Sequence, residues 1–453
     1  MSVINWQQFG LRGNPYDTTA LTEGGILALK DAFVGRTEER EFIDGLLRSQ
    51  DRFALALCGD TGVGKTSLAN YEKYLWKNEM PKALFSFRRE IEASEDLLNK
   101  SRFLLEIIAS IIREIRLIDP ELLKDQVLAR LNRVIDVTET IALSANVSVD
   151  VMGYGGGIGG SKETTVSQPL NLPAATIERY FTDILSFIKT HKISGKQYEG
   201  LIVHTNNFDV LMKKESVQVS RFFDDIRDML QTRGVYFLFL GPKNFYRDMI
   251  DTNRRVKSIF SPTPLTVRPL DKKEVLLAFE ERMRLLISEG VSDFIRPVDD
   301  ETVFKIYDLY DGDIRSIMTA ISDLLGQYSE RVGKQLSADE AALLLSEERW
   351  KRIERMGIKG EQREVLYAIL RQTSPFTKTD IAKQLGKQMS SMSQYYFPPL
   401  EENGVIIEKE RKGNAVYFEC SVDYEPLKWI LEMKPRAETR AENVRSNQAS
   451  LFE

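Results

Sequence analysis

Residues Gly59-Asp60-Thr61-Gly62-Val63-Gly64-Lys65-Thr66 fit the pattern G-x-x-x-x-G-K-[ST]. The flanking residues supply the context the pattern needs. Phe53-Ala54-Leu55-Ala56-Leu57 reads as a short buried strand before it, and Ser67-Leu68-Ala69-Asn70 continues as a helix after it. Such a loop captures anions. Gly59, Gly62 and Gly64 let the backbone curl until successive N–H groups converge on the phosphates. The helix adds its positive end, Lys65 a mobile point charge, and the Thr66 hydroxyl a ligand for Mg²⁺. Asp60, Thr61, Val63 and Ser67 complete the cradle. The segment therefore implies a nucleoside triphosphate site and a sheet with parallel strands around it.

Composition narrows the remaining options. A chain of 453 residues holds two or three domains with cores of their own. It is 42% hydrophobic and 28% charged with a net charge of −5, so contact with DNA has to come from a local patch. Apolar runs fall short of the ~18 residues a membrane helix needs, and the first residues lack a signal-peptide pattern. Cys58 and Cys420 are the two cysteines, which rules out a disulfide framework or a cysteine-rich zinc site. With His191 and His204 as the two histidines, histidine metal clusters and catalytic triads are dismissed as well. No membrane partner and a reduced, cytoplasmic location are expected.

Residues 1–32 read as an arm carrying Trp6, Phe9 and the turn Asn14-Pro15-Tyr16-Asp17. Residues 33–270 alternate helix and strand. Thr37 is placed to cap a helix to about Arg48. Strands are expected at Ala83–Phe87, Leu201–Val203, Val235–Leu240 and Pro264–Val267, and helices at Ala174–Lys189 and Ser220–Leu230. Phe103, Leu104, Ile107, Ile108, Ile111, Ile112 and Ile115 form a helical stripe facing a core. That alternation argues for a parallel sheet covered on both faces. Within it, Leu143–Pro169 reads as a glycine-rich β-hairpin, either a DNA or subunit contact or a floppy insertion.

Residues 271–347 read as a small helical bundle and 348–360 as a charged linker with Arg349, Lys351, Arg352 and Arg355. Residues 361–421 form a separate module. Helices are expected at Gln362–Arg371, Thr379–Leu385 and Ser390–Glu402, the third broken after Phe397 by Pro398-Pro399. Two strands then flank Arg411-Lys412-Gly413-Asn414 as a wing. A terminal helix (422–434) and a disordered tail (435–453) close the chain.

With these segments in order, the chain resembles the initiator, or origin-recognition-like, clade of AAA+ ATPases with a C-terminal winged helix. The resemblance runs from about Phe33 to Phe418. It implies an α/β fold: a P-loop AAA+ parallel-sheet domain, a helical lid, then a winged-helix domain. It also implies ATP as the nucleotide. Phe33-Val34-Gly35-Arg36-Thr37-Glu38-Glu39 resembles the segment that the family folds over adenine, which makes Val34, Gly35 and Arg36 base contacts. Gly312-Asp313-Ile314-Arg315 matches the sensor-2 pattern and would aim Arg315 at the γ-phosphate; its plainer reading is a solvated helix charge. Arg254 and Arg255 lie where many relatives carry an arginine finger, although Ile259 holds the usual slot.

The resemblance fails at the Walker B strand. The family reads four apolar residues, then Asp-Glu. This chain reads Ile202-Val203-His204-Thr205-Asn206-Asn207-Phe208-Asp209. Aligned on Phe208-Asp209, Asn206 takes the Mg²⁺-organising position and Asn207 that of the water-activating glutamate. Asparagine carries no charge and is no base at neutral pH. Losing a general base costs roughly 10²–10⁴ in rate. A slow or inactive ATPase is expected, with nucleotide setting conformation and assembly; an active enzyme relying on Asp209 and a partner's residues is the alternative.

Winged helices place the third helix in the major groove and the wing on phosphates. That assigns Lys387, Ser391, Gln394 and Tyr395 to bases, and Arg411 and Lys412 to the backbone of duplex DNA. Charge argues otherwise: residues 361–420 carry eight Lys/Arg against eight acids. A winged helix that docks protein, as in signalling P-loop ATPases, therefore stays open. Finally, Gln448-Ala449-Ser450-Leu451-Phe452 resembles the peptide by which bacterial proteins dock on the replicative sliding clamp, with Gln448, Leu451 and Phe452 entering its cleft. The leading expectation is an ATP-dependent, self-assembling, DNA-associated switch.

Overall fold

A computed structural model describes residues 4–136, 172–261, 263–328, 334–413 and 415–429. The expected hairpin at Leu143–Pro169, the end of the terminal helix (430–434), the tail and the clamp peptide lie outside the described residues. The chain divides into two compact units, Thr19–Leu270 and Met1–Thr18 with Asp271–Glu453.

In the first unit eight strands are described: β1 (Phe53–Cys58), β2 (Leu84–Phe85), β3 (Ile91–Glu92), β4 (Lys192–Ile193), β5 (Lys196–Gln197), β6 (Gly200–Asn206), β7 (Val235–Gly241) and β8 (Leu265–Thr266). The main sheet has the order β2-β6-β7-β1-β8, with β3 also pairing to β6. All its pairings are parallel. Each residue of β1 is buried, as expected for a central parallel strand covered on both faces. Alternate side chains serve different cores. Phe53, Leu55 and Leu57 pack with Leu68, Ala69 and Trp76 of the helix Lys65–Asn78 and with Ile43 and Leu47 of Thr37–Ser49. Ala54, Ala56 and Cys58 face the larger core of the helices Lys100–Ile118 and Ala174–Thr190. All seven residues of the predicted helical stripe are buried there.

Several predicted boundaries move. The strand expected at Ala83–Phe87 stops at Phe85, because the Phe87 and Arg88 carbonyls accept hydrogen bonds from the Lys73 ammonium, at 3.0 and 3.4 Å, rather than from a ladder. Thr37 does not cap its helix. Arg36 takes the cap position with φ 64 and makes no side-chain cap, because a guanidinium has no acceptor to offer the helix N–H groups. The helix expected at Ser220–Leu230 spans Ser216–Asp225.

In the second unit the helices Lys272–Leu285, Asp300–Leu309, Ile314–Tyr328 and Ala338–Arg355 form the helical region. The first residues are less an arm than part of this unit. Tyr16 meets Phe279 edge-on at 5.1 Å, and the buried Arg282 donates to the carbonyls of Pro15 (3.2 Å) and Asp17 (2.7 Å). The charged linker expected from 348 is helical to Arg355, and its Arg349 is buried, donating to the Asp423 carbonyl at 2.6 Å.

A winged-helix module follows: helices Glu361–Leu370 and Lys378–Leu385, then a third helical stretch from Met389 to Glu402. Pro398-Pro399 does not break that stretch after Phe397. Instead, the turn before it, Met392–Tyr396, widens to a π-helix, and Phe397–Glu402 restarts with proline in its first turn, where the missing N–H costs least. The wing comprises β9 (Ile406–Lys412) antiparallel to β10 (Ala415–Cys420).

Candidate functional site

The P-loop leaves the C-terminal end of β1 and enters the helix Lys65–Asn78. Its glycines are required sterically. Gly62 and Gly64 hold φ of 82 and 93, in the left-handed region. A Cβ on Gly59 would lie 2.6 Å from the Val267 carbonyl oxygen. The Lys65 ammonium arches over the loop and donates to the carbonyls of Gly59 (2.9 Å) and Asp60 (2.8 Å). Ser67 faces the other way; its hydroxyl accepts from the Leu21 N–H at 3.3 Å, and Asn70 donates to the Leu21 carbonyl at 2.9 Å, so residues before the sheet are tied to the P-loop helix.

Thr66 and Asn206 meet directly. The Asn206 Nδ2 donates to Thr66 Oγ1 at 3.1 Å, while Asn206 Oδ1 accepts from the Asn207 N–H at 2.8 Å. A backbone N–H can only donate, so it fixes which end of the amide is oxygen and leaves the donor end facing Thr66. Thr66 Oγ1 keeps a second lone pair that can face Mg²⁺, while position 206 turns an uncharged N–H toward it in place of a carboxylate. Asn207 stands in the left-handed region with φ 68 at the start of the helix Phe208–Lys214, a conformation asparagine tolerates better than most residues.

Asp209 lies half-buried on that helix, one residue beyond Phe208. Among the described residues no group of three or more His, Cys, Asp or Glu side chains is placed to hold a metal. Cys58 ends β1 beside the loop; burial pushes its thiol up, outweighing the charge of Lys65, so it is an inert packing group.

Arg36 lies beside the loop with Gly35, whose φ is 73. Its guanidinium, however, is spent on protein atoms. It donates to the Val63 and Arg268 carbonyls and pairs with Glu39 at 3.0 Å. Val34 and Gly35 stay half-exposed next to it.

Two features were not read from the sequence. β7 pairs with β1 so that Gly241 lies opposite Cys58, and Lys243 beyond it comes within 3.8 Å of the Asp60 carboxylate. A second lysine thus overhangs the loop; the one sequence signal was the strand's end at Gly241-Pro242. Beneath the site, His204 of β6 is fully buried with neither ring nitrogen hydrogen-bonded, and burial, aided by Lys73, drives its pKa well below the usual range.

The other candidates lie in the second unit. Arg315 is exposed in the first turn of Ile314–Tyr328, its N–H donating to Asp313 at 2.9 Å. On the winged-helix module Gln394 and Tyr395 are exposed and Ser391 is half-buried. Four of its cations are paired within the module: Lys387 with Glu361 at 2.8 Å, Arg411 with Glu408 at 2.8 Å, Lys412 with Glu410 at 2.7 Å, and Lys409 with Glu419. Arg254 and Arg255 are exposed on a short helix capped by Asn253. Among the described residues, no helix is long and apolar enough to cross a membrane.

No family model and no curated protein matches this chain. Similar solved structures include the Aeropyrum pernix ORC2 protein in ADPNP–ADP complexes, at 15% identity over 93% of this chain and 98% of that one, with a TM-score of 0.46. The Aeropyrum pernix ORC1 protein in complex with DNA is 14% identical over 88% of this chain and 92% of that one, with a TM-score of 0.40. The Thermotoga maritima RuvB Holliday junction branch migration motor is 12% identical over 87% and 95%, with a TM-score of 0.37. Likenesses this distant say nothing about what the present chain binds.

Proposed function

We propose that this chain is an ATP-binding switch that assembles with itself and acts on duplex DNA in replication, transposition or genome defence, with hydrolysis slow or absent. The observation that carries the reading is the contact between Asn206 and Thr66 beside a sterically complete P-loop. The cradle supplies backbone donors, a helix N-terminus and Lys65 for the phosphates. Beside it, two amides stand where an acid pair would organise Mg²⁺ and activate water, and neither can take a proton at neutral pH. Mg²⁺, held chiefly by Thr66 and the phosphates, would neutralise triphosphate charge. ATP then acts by which conformation it favours rather than by its cleavage.

In this reading Arg315 senses the γ-phosphate, Lys387 and the third helix of the winged module with Ser391, Gln394 and Tyr395 meet the DNA bases, and Arg411 and Lys412 of the wing meet phosphates. The terminal peptide with Gln448, Leu451 and Phe452 docks on a sliding clamp. Titration calorimetry with ATP and Mg²⁺, paired with steady-state phosphate release, tests the core of it. Micromolar binding with turnover far below 1 per second is expected; a turnover of about 1 per second or faster would refute the switch.

One observation favours a second reading. Each wing cation already has a carboxylate partner, and the module carries no net positive charge from residues 361–420. That suits a signalling ATPase whose winged helix contacts protein. Indifference to duplex DNA with ATP, with ADP and without nucleotide would select it.

A further inference from the structure

We infer that Arg36 is a positioning residue that aims the phosphate-binding backbone, and not a contact to the base. The inference rests on the nucleotide-binding reading above. Arg36 is a non-glycine residue held at φ 64, and it is 6% exposed. A buried guanidinium in a left-handed backbone persists only where its surroundings repay both costs. Here they do: the Val63 carbonyl, the Arg268 carbonyl and the Glu39 carboxylate all converge on it.

The Val63 contact matters because of peptide geometry. No peptide bond among the described residues is cis, so the carbonyl of Val63 and the N–H of Gly64 point in opposite directions from one rigid plane. Pinning that carbonyl to Arg36 turns the Gly64 N–H away from it. That plane lies between Val63 and Gly64, the glycine lets it turn with little hindrance, and the bond from Arg36 holds it.

The Arg268 contact ties in the other end. Val267, its neighbour, donates its N–H to the Cys58 carbonyl at 2.8 Å, and its own carbonyl closes over Gly59. The strand segment after β8 therefore braces the first residue of the P-loop directly and the fifth through Arg36. The guanidinium spreads its donors over two nitrogens, Nη1 toward Glu39 and Arg268 and Nη2 toward Val63; a lysine ammonium would have to direct its three from a single atom.

A base contact and a backbone strut predict different losses, so the test compares ATP with inorganic tripolyphosphate, which has no base. Both are titrated with Mg²⁺ into the wild-type chain, Arg36→Lys and Arg36→Ala, alongside unliganded thermal unfolding. A strut predicts that Arg36→Lys weakens both ligands by the same factor, about tenfold or more, while the chain stays folded. If Arg36→Ala fails to fold, Arg36→Lys decides the matter. Wild-type affinity for ATP in Arg36→Lys overturns the inference. So does loss of ATP with tripolyphosphate retained, which would place the guanidinium on the base. Wild-type protein that ignores both ligands would instead remove the nucleotide reading itself, and this role with it.

Discussion

Asn206 reaches across from the end of β6 to donate a hydrogen bond to the Thr66 hydroxyl at 3.1 Å. The relationship joins the two positions on which Mg²⁺ chemistry in a P-loop site depends, and it joins them with an amide. An aspartate at 206 could accept from the Asn207 N–H with one oxygen and face the metal with the other. Asn206→Asp should therefore make nucleotide affinity more strongly Mg²⁺-dependent. Titrating ATP with and without the cation checks this; an unchanged ratio would remove Asn206 from the metal site.

Turnover should respond to the neighbouring position. Asn207→Glu, combined with Asn206→Asp, restores an acid pair and is expected to raise phosphate release above the wild-type rate. The gain is opposed by the backbone, since Asn207 has φ 68 and glutamate tolerates that region poorly, at roughly 1 kcal/mol. The double variant should thus melt somewhat lower while hydrolysing faster. A rate at or below wild type would show that the catalytic water sits elsewhere.

How much of this was legible beforehand follows from range in sequence. The P-loop, its strand and its helix were readable because each signal lies within a few consecutive residues. The amides at 206 and 207 were readable for the same reason, and the structure brings Asn206 to Thr66. Features that depend on distant partners were not. Arg36 finds Val63 and Arg268 through the tertiary fold. Lys73 captures the Phe87 and Arg88 carbonyls and so shortens β2. Lys243 reaches the loop because β7 pairs with β1, a register no local pattern encodes. The first residues read as an arm because Tyr16 and its turn look exposed until Phe279 and Arg282 are there to meet them.

Glu72, on the P-loop helix, gives the unit a defined pH response. Burial pushes its carboxyl from 4.5 up to about 7, and Arg40, 3.5 Å away, offsets this only in part. The folded state therefore holds the proton more tightly than the unfolded one. The stability this contributes is fully present below the unfolded value near 4.5 and is lost as pH rises through about 7. Unfolding midpoints should fall across that window, by on the order of 3 kcal/mol in stability. In Glu72→Gln the slope should flatten and stability at pH 8 should rise; an unchanged profile would assign the pH response to another group.

The larger core turns on one aromatic ring. Phe223 is completely buried and meets Phe239 at 5.1 Å, Phe222 at 5.4 Å, Phe208 at 5.6 Å and Phe260 at 5.7 Å. Phe223→Ala leaves a cavity where five rings, Phe245 at 5.8 Å included, converge and should cost about 3–5 kcal/mol in denaturant unfolding. Val210→Ala, at a position 55% exposed, serves as the contrast and should shift stability by less than about 0.5 kcal/mol. Equal losses would show that this cluster does not anchor the fold.

The wing decides whether the module meets DNA. Arg411 and Lys412 are paired with Glu408 and Glu410, but exposed pairs of this kind are worth about 0–1 kcal/mol, so phosphates can replace the carboxylates. On that view Arg411→Ala with Lys412→Ala removes two phosphate contacts. Binding should weaken, and the slope of log affinity against log salt should become shallower by about 2. The acids make the converse prediction. Glu408→Gln with Glu410→Gln frees both cations from competition and should tighten binding, most of all at low salt where charge is least screened. Fluorescence anisotropy with a labelled duplex at several salt concentrations reads both. If neither pair of substitutions moves the slope, the wing does not touch the DNA backbone, and the neutral module is a protein-docking surface.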